Sequence, residues 1–316
     1  MSPSESAALA SGWTMALLLW QQRQDIGPAR RAAAATAHLE ATGRTLLWGG
    51  GGGQEFNDTW EWDGEGWVQV ADTGPTPTYL AGMAYDSNRD VAVVFTSTLG
   101  PSYVSETWEW DGEAWTQVED TGPQARNTYF QMAYDGARQV TILEGGQADP
   151  GGTLDPAPVG TWAWDGTTWT QVADVGPRQR VASALAYDAS RQRVVLFGGF
   201  TTDDTTPQRD TWEWDGSAWE QVSNMGPAPR YGHAMTGTAG TTLLFGGVRV
   251  ENSTAVLLQD TWTWDGELWR QRQDMGPSPR YLPALSWDAA RARSVLFGGV
   301  SLTDFFGDTW ESFERP

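Results

Sequence analysis

One hexapeptide, written five times with small changes, constrains this chain more than any other feature. It stands at Thr59-Trp-Glu-Trp-Asp-Gly64, Thr107-Trp-Glu-Trp-Asp-Gly112, Thr161-Trp-Ala-Trp-Asp-Gly166, Thr211-Trp-Glu-Trp-Asp-Gly216 and Thr261-Trp-Thr-Trp-Asp-Gly266, and a sixth copy breaks off at Thr309-Trp-Glu-Ser-Phe313. The first Trp of each copy stands at 60, 108, 162, 212, 262 and 310, so the unit recurs after 48, 54, 50, 50 and 48 residues. A repeat of this length is one supersecondary element that cannot bury its own apolar face and must stack on its neighbours.

Each unit reads as four short strands. In the fifth, residues 231–238 form a strand of small side chains suited to the neighbourhood of an axis, and 241–245 an apolar strand ending at Gly246-Gly247. A variable loop follows, then a hairpin of 260–264 and 268–272 across Asp265-Gly266, a dipeptide that supplies the positive φ of a tight turn. Gly-Pro at 27, 74, 122, 176, 226 and 276 turns the chain into the next unit. Trp at i and i+2 of the third strand shares one face with a Trp of the fourth (Trp67, Trp115, Trp169, Trp219, Trp269),. Twisted sheets stacked face to face around a centre close into a propeller.

The expected fold is therefore all-β, a six-bladed propeller with four strands per blade. The C-terminal copy lacks a fourth strand, and Trp20-Gln-Gln-Arg-Gln24 at the other end is a fourth strand without a hairpin, so residues about 18–24 are expected to complete the last blade. Residues 18–316 are then one propeller. Residues 1–17 are an extension or the remnant of an eroded hairpin, since Trp13-Thr14 matches Trp262-Thr263 in register.

Composition narrows the function. The length of 316 residues suggests two domains, but 20 Trp and 37 Gly beside 19% charged residues fit many short strands better,. Forty Asp and Glu against 20 basic residues give a net charge of -20, which argues against nucleic acid and anionic lipid as partners,. All the basic residues are Arg, as codon bias, salt adaptation or an extracellular origin would each produce. With no Cys, disulfides, thiolate metal sites and cysteine nucleophiles are excluded,. The longest apolar run, Met15-Ala-Leu-Leu-Leu-Trp20, is too short for a membrane span and lacks the flanks of a signal peptide,. Localisation is left open, with an extracellular or cell-surface bacterial origin among the options.

A strand ending in Gly-Gly, a variable loop, an Asp-Thr-Trp-x-Trp motif and this period together resemble kelch repeats of the bacterial type over residues 18–313. Unit two departs with Ser97-Thr98-Leu99-Gly100 in place of Gly-Gly, and unit three has Gly160 where others have Asp. The resemblance implies a scaffold that binds proteins, peptides or glycans through loops on one face. It extends to the propeller domain of galactose oxidase, whose copper radical chemistry implies a Tyr–Cys crosslink and histidine ligands. This chain has no Cys and only His38 and His233, so that ligand set cannot be assembled.

Three sets of residues are candidates for a site. The Arg after Gly-Pro recurs as Arg31, Arg126, Arg180, Arg230 and Arg280, with Thr78 in the second unit. These arginines are expected to ring the central opening and either present guanidinium forks to carboxylates or pair with Asp58, Asp210, Asp260, Asp308 and Glu106 as a structural ladder. The loops after the second strand, with Phe56, Tyr103, Leu257, Phe305 and Phe306, are the second set, and Tyr231, Tyr281 and His233 near the axis complete the ligand-binding candidates,. The Asp-Gly turns are the third and read as structural, without the ligand spacing of a calcium loop. No Gly-x-Ser-x-Gly elbow or phosphate loop is present, and Gly49 to Gly53 reads as a flexible stretch. The expectation is a non-enzymatic, monomeric binding module with no cofactor or metal. The runner-up is a carboxylate-dependent hydrolase or lyase on the same face, and a third reading is a structural ring without a ligand.

Overall fold

A computed structural model describes residues 17–23, 26–78, 81–98, 104–123, 130–146, 160–201 and 206–315. Arg126, Tyr103 and the proposed remnant at the N-terminus lie outside the described residues. Six four-stranded antiparallel sheets make the ring. Blade 1 holds Ala35–Leu39, Arg44–Trp48, Thr59–Trp62 and Trp67–Ala71, and blade 2 Gly82–Asp86, Val91–Thr98, Val104–Trp110 and Trp115–Glu119. Blade 3 holds Phe130–Asp135, Val140–Gly145, Thr161–Trp164 and Trp169–Ala173, and blade 4 Ala184–Asp188, Arg193–Phe197, Thr211–Trp214 and Trp219–Ser223. Blade 5 holds Ala234–Gly237, Thr242–Phe245, Thr261–Trp264 and Trp269–Gln273. Blade 6 holds Ala284–Asp288, Arg293–Phe297 and Thr309–Arg315, and its outer strand is Leu17–Gln22, paired antiparallel from Leu17↔Arg315 to Gln22↔Trp310. The ring closes on strands from opposite ends of the sequence, as the repeat arithmetic predicts.

Tryptophan holds the blades together in a way that recurs at every interface. Trp62, Trp110, Trp164, Trp214 and Trp264 are at most 1% exposed, and burying about 200 Å² of each is worth roughly 5 kcal/mol gross. Each outer-strand Trp donates its indole N–H to the first Thr of the preceding blade's third strand. The six bonds are Trp67 to Thr309, Trp115 to Thr59, Trp169 to Thr107, Trp219 to Thr161, Trp269 to Thr211 and Trp20 to Thr261, at 2.7–2.9 Å. At five interfaces the same ring packs against the aromatic residue that pairs with that Thr in the neighbour's second strand, for example Trp269 on Phe197 at 5.0 Å and Trp20 on Phe245 at 5.4 Å. Blade 3 carries Glu144 at that place. Gly226 leaves room for this contact, because a Cβ there would lie 2.6 Å from Trp269 Cδ1.

The Asp-Gly hairpin differs from the tight turn expected. Trp62 pairs directly with Trp67, so the loop is four residues, 63–66. Gly64 alone takes positive φ in it, while Asp63 Oδ1 accepts from the backbone N–H of Glu65 and Gly66, both at 2.8 Å. The Asp caps the loop as an Asx turn.

Candidate functional site

The described parts of the loops after the second strands lie on one face, here called the loop face. There the four described ring arginines are at most 1% exposed. Arg31, Arg180, Arg230 and Arg280 each grip an aspartate of their own blade bidentately. The pairs are Asp58 at 2.5 and 2.9 Å, Asp210 at 2.7 and 2.9 Å, Asp260 at 2.7 and 2.8 Å, and Asp308 at 2.6 and 2.9 Å. Each Arg also donates to the carbonyl of the first glycine of Gly-Gly and to the carbonyl two residues back, as in Arg230 to Gly246 and Ala228. Four of five N–H donors are thereby consumed, which is the ladder of the two arrangements the sequence allowed.

The aspartates take a second bond from the first Trp of the motif, 2.7 Å from Trp212 to Asp210 and from Trp262 to Asp260. Burial opposes the charge on Asp210, but the hydrogen bonds and charge of Arg180, with Trp212, outweigh it and hold the carboxyl below its ordinary 3.8. Asp58, Asp260 and Asp308 are lowered by the same balance. Phe56 lies over the Arg31 guanidinium and Phe306 over Arg280, each 3.9 Å to the ring centroid. These two aromatics are lids on the ladder before they are surface anchors. Blade 2, with Thr78 for the Arg, has Glu106 for the Asp and bonds it to Thr76 and Trp108 instead.

Gly-Gly recurs because the loop presses its backbone on the next blade. Gly247 has φ +95, its N–H donates to Arg280 O at 2.9 Å, and a Cβ on it would stand 2.9 Å from Tyr231 O. Nearer the axis, Gly232 N–H bonds Ala182 O, Leu282 N–H bonds Gly232 O and Ala33 N–H bonds Leu282 O, at 2.6–2.9 Å. This belt crosses four blades at residues with φ of 53–63°. Tyr231 and Tyr281 flank it, half-buried and bridged to Val248 and Val300, and Phe200 meets Tyr231 edge-on at 5.8 Å. Phe305, half-buried, bridges Val300 as well. His233 is buried and packs edge-on against Phe197. Burial, with the charge of Arg230, pushes its pKa down to about 3, so it is neutral at pH 7.

The loop face carries one element the sequence did not suggest. Val248–Glu251 and Thr254–Leu257 form a hairpin in blade 5, turning on Asn252 and Ser253, both at positive φ. The candidate anchor Leu257 is its last residue and is half-buried.

The central channel is divided by a girdle of Thr36, Met83, Met132, Leu185, Met235 and Leu285. On the loop side lies a chamber of about 120 Å³ that His233 helps to line, and on the other side a funnel of about 670 Å³. The larger cavity therefore opens away from the Gly-Gly loops. His38, Tyr85, Tyr134, Tyr187 and Trp287 stand round it. The tyrosines act as latches: Ala41 N–H and Ala137 N–H donate to the Tyr85 and Tyr187 hydroxyls, each across a blade boundary. Burial and then the bond to Asp90 push the Tyr85 hydroxyl up to about 12.

Sequence reasoning missed a second ladder on this funnel side. Asp86 and Arg89, Asp188 and Arg191, and Asp288 and Arg291 are paired at 2.6–2.8 Å, and each Arg continues to the Glu that follows the first Trp of the motif. Those glutamates, Glu109, Glu213 and Glu311, accept the indole N–H of Trp164, Trp264 and Trp62 from the next blade at 2.7–3.3 Å. The signal was the recurrence of Asp-x-x-Arg after the inner strand together with Glu after the first Trp of the motif. Among the described residues no group of three or more His, Asp or Glu is arranged to hold a metal ion.

Compared with known proteins, the sequence matches no family and none of the curated proteins.

Proposed function

We propose that this chain is a kelch-type propeller acting as a non-enzymatic binding scaffold, which recognises a protein, peptide or glycan through its loop face. One observation carries the reading. The polar groups that recur from blade to blade are spent on the framework in Arg–Asp, Asp–Arg–Glu and Trp–Thr bonds, whereas among the described residues the loop face carries side chains that differ from blade to blade, such as Phe56, Gln208, Phe306 and the 248–257 hairpin. A rigid frame carrying variable loops is the arrangement a recognition surface needs. The candidates on that face are accordingly Tyr231, Tyr281, Phe305 and the blade 5 hairpin, with the buried arginines as their support.

The test is a glycan array and a peptide library probed with the folded protein, followed by two variants. One replaces the hairpin of residues 248–257 by Gly-Gly, and the other, Ala189→Trp, obstructs the funnel. Loss of binding in the hairpin variant alone is the expected result. Loss in Ala189→Trp alone moves recognition to the opposite face, and no ligand at millimolar concentration sinks the scaffold reading.

A further inference from the structure

The six blades are internal controls for one another, and blade 4 departs from the rest at several positions that meet in one groove. That groove, about 350 Å³, lies on the loop-face rim and is lined by Arg178, Gln208, Arg209, Trp212, Gln221 and Asn224, with the Arg180–Asp210 pair at its base. Two residues before the ring Arg, where blade 4 has Arg178, the other blades have Ala29, Thr76, Gln124, Ala228 and Ser278. Before the ladder acid, where it has Arg209, they have Asn57, Ser105, Val159, Gln259 and Gly307. At Asn224 every other unit has an aspartate: Asp25, Asp72, Asp120, Asp174 and Asp274. Blade 4 has thus gained two cations and lost one anion at these positions, a local change of +3 in a chain of net charge -20.

The groove is open for a reason in the same blade. Gln208 occupies the lid position, where Phe56 and Phe306 cover the arginines of blades 1 and 6. Arg178 and Arg209 are exposed and form no ion pair with a described residue, and among the described residues the Arg209 side chain donates to the Gly226 carbonyl alone, at 3.3 Å. Trp212 is half-buried, and its N–H is committed to Asp210, so what it offers the groove is its ring. The repeat's charge pattern opposes an anion at the other rims and favours one here.

We infer that the blade 4 groove is a binding site for a carboxylated sugar, the two guanidinium groups taking the carboxylate and Trp212 the sugar ring. Planar forks suit a carboxylate bidentately. An aromatic face beside the Gln208, Gln221 and Asn224 amides suits a ring bearing hydroxyls, and the volume falls at the small end of the roughly 300–1,000 Å³ typical of small-ligand pockets. An acidic peptide would use the cations but has no use for that combination. This inference rests on the scaffold reading, and it goes further in adding to the blade 5 hairpin a second place on the same face and in naming the ligand class for it.

The experiment is calorimetric titration of the whole chain with trigalacturonate, with its neutral methyl ester and with a hexaglutamate peptide. The variants are Arg178→Ala, Arg209→Ala and Asn224→Asp, with Arg270→Ala, an exposed residue of the outer strand of blade 5 paired with Asp265, as the control for net charge. Trigalacturonate alone is expected to bind, weakening as salt screens the charges, with about tenfold loss in each groove variant and no change in the control. Equal binding of the ester, or equal loss in Arg270→Ala, overturns the site. Binding of hexaglutamate with the same sensitivity overturns the sugar. Trigalacturonate bound without sensitivity to the groove variants removes this groove and leaves the scaffold reading standing, and no titratable binding by trigalacturonate also refutes the inference.

Discussion

At the scale of single residues, the buried ion pairs are where the structure is least tolerant. Removing Arg230 strands Asp260 in a largely buried place, and Arg230→Ala is expected to cost about 3–5 kcal/mol in urea unfolding. Arg230→Lys should recover only part of this, because one ammonium cannot span both carboxylate oxygens and the Gly246 carbonyl,. Acid acts on the same groups. A carboxyl whose pKa is lower folded than unfolded adds stability above the unfolded value, and that stability is lost as pH falls through the folded one. For Asp58, Asp210, Asp260 and Asp308 the loss begins near 3.8 and runs downward,. His233 follows the same sign from a higher start, since the unfolded imidazole takes a proton below 6.5 and the buried one resists until about 3,. His38, lowered by burial against the pull of Asp288, adds in the same direction. Urea midpoints should therefore decline from pH 6.5 toward 4, and His233→Phe should make that decline shallower. An unchanged slope would refute a neutral buried imidazole.

At the scale of strands and hairpins, differences between blades give further tests. Among the described residues Trp214 Nε1 is buried without a partner, and Ala163 stands where Glu109, Glu213 and Glu311 accept the next blade's indole. Ala163→Glu beside Arg138 should supply the missing acceptor and raise the melting temperature, by about 1 kcal/mol of stability. A fall in melting temperature would show that the new carboxylate is not reached. The turn between the first two strands gives the second test. It ends at positive φ in Asp90, Gln139, Gln192 and Ala292, but only blade 1 places a glycine there, Gly43. A Cβ in the left-handed region costs roughly 1 kcal/mol, so Ala292→Gly should be neutral to stabilising where Ala→Gly in a strand destabilises. Much of this was readable beforehand: Trp-x-Trp fixed the buried face, and Gly-Gly marked a close approach. The four-residue Asx loop was not, because Asp-Gly is equally consistent with a two-residue turn, and register depends on the partner strand.

At the scale of the whole molecule, closure is the property that distinguishes the ring from a row of sheets. Each Trp–Thr bond crosses to the preceding blade, and the bond from Trp20 to Thr261 completes the circle. A permutant opened between Asp265 and Gly266, with the native ends linked, would close blade 5 as Leu17–Gln22 now closes blade 6. It should unfold in one transition within about 2 kcal/mol of the parent, a cost in keeping with the slow growth of loop entropy with length. Two separate transitions in calorimetry would mean that closure in blade 6 has a stability the other interfaces lack.

Period, strand count, the buried tryptophans and the closing strand were settled by the sequence alone, because repetition makes every local pattern count six times. The fate of the arginines was not. A recurring Arg and a recurring Asp are compatible with a ligand ring and with a ladder, and only the distance between them, near 2.7 Å, decides which. The orientation of the larger cavity was equally hidden, since it depends on how far six inner strands stand from their common axis, a length set by packing that no single repeat contains,.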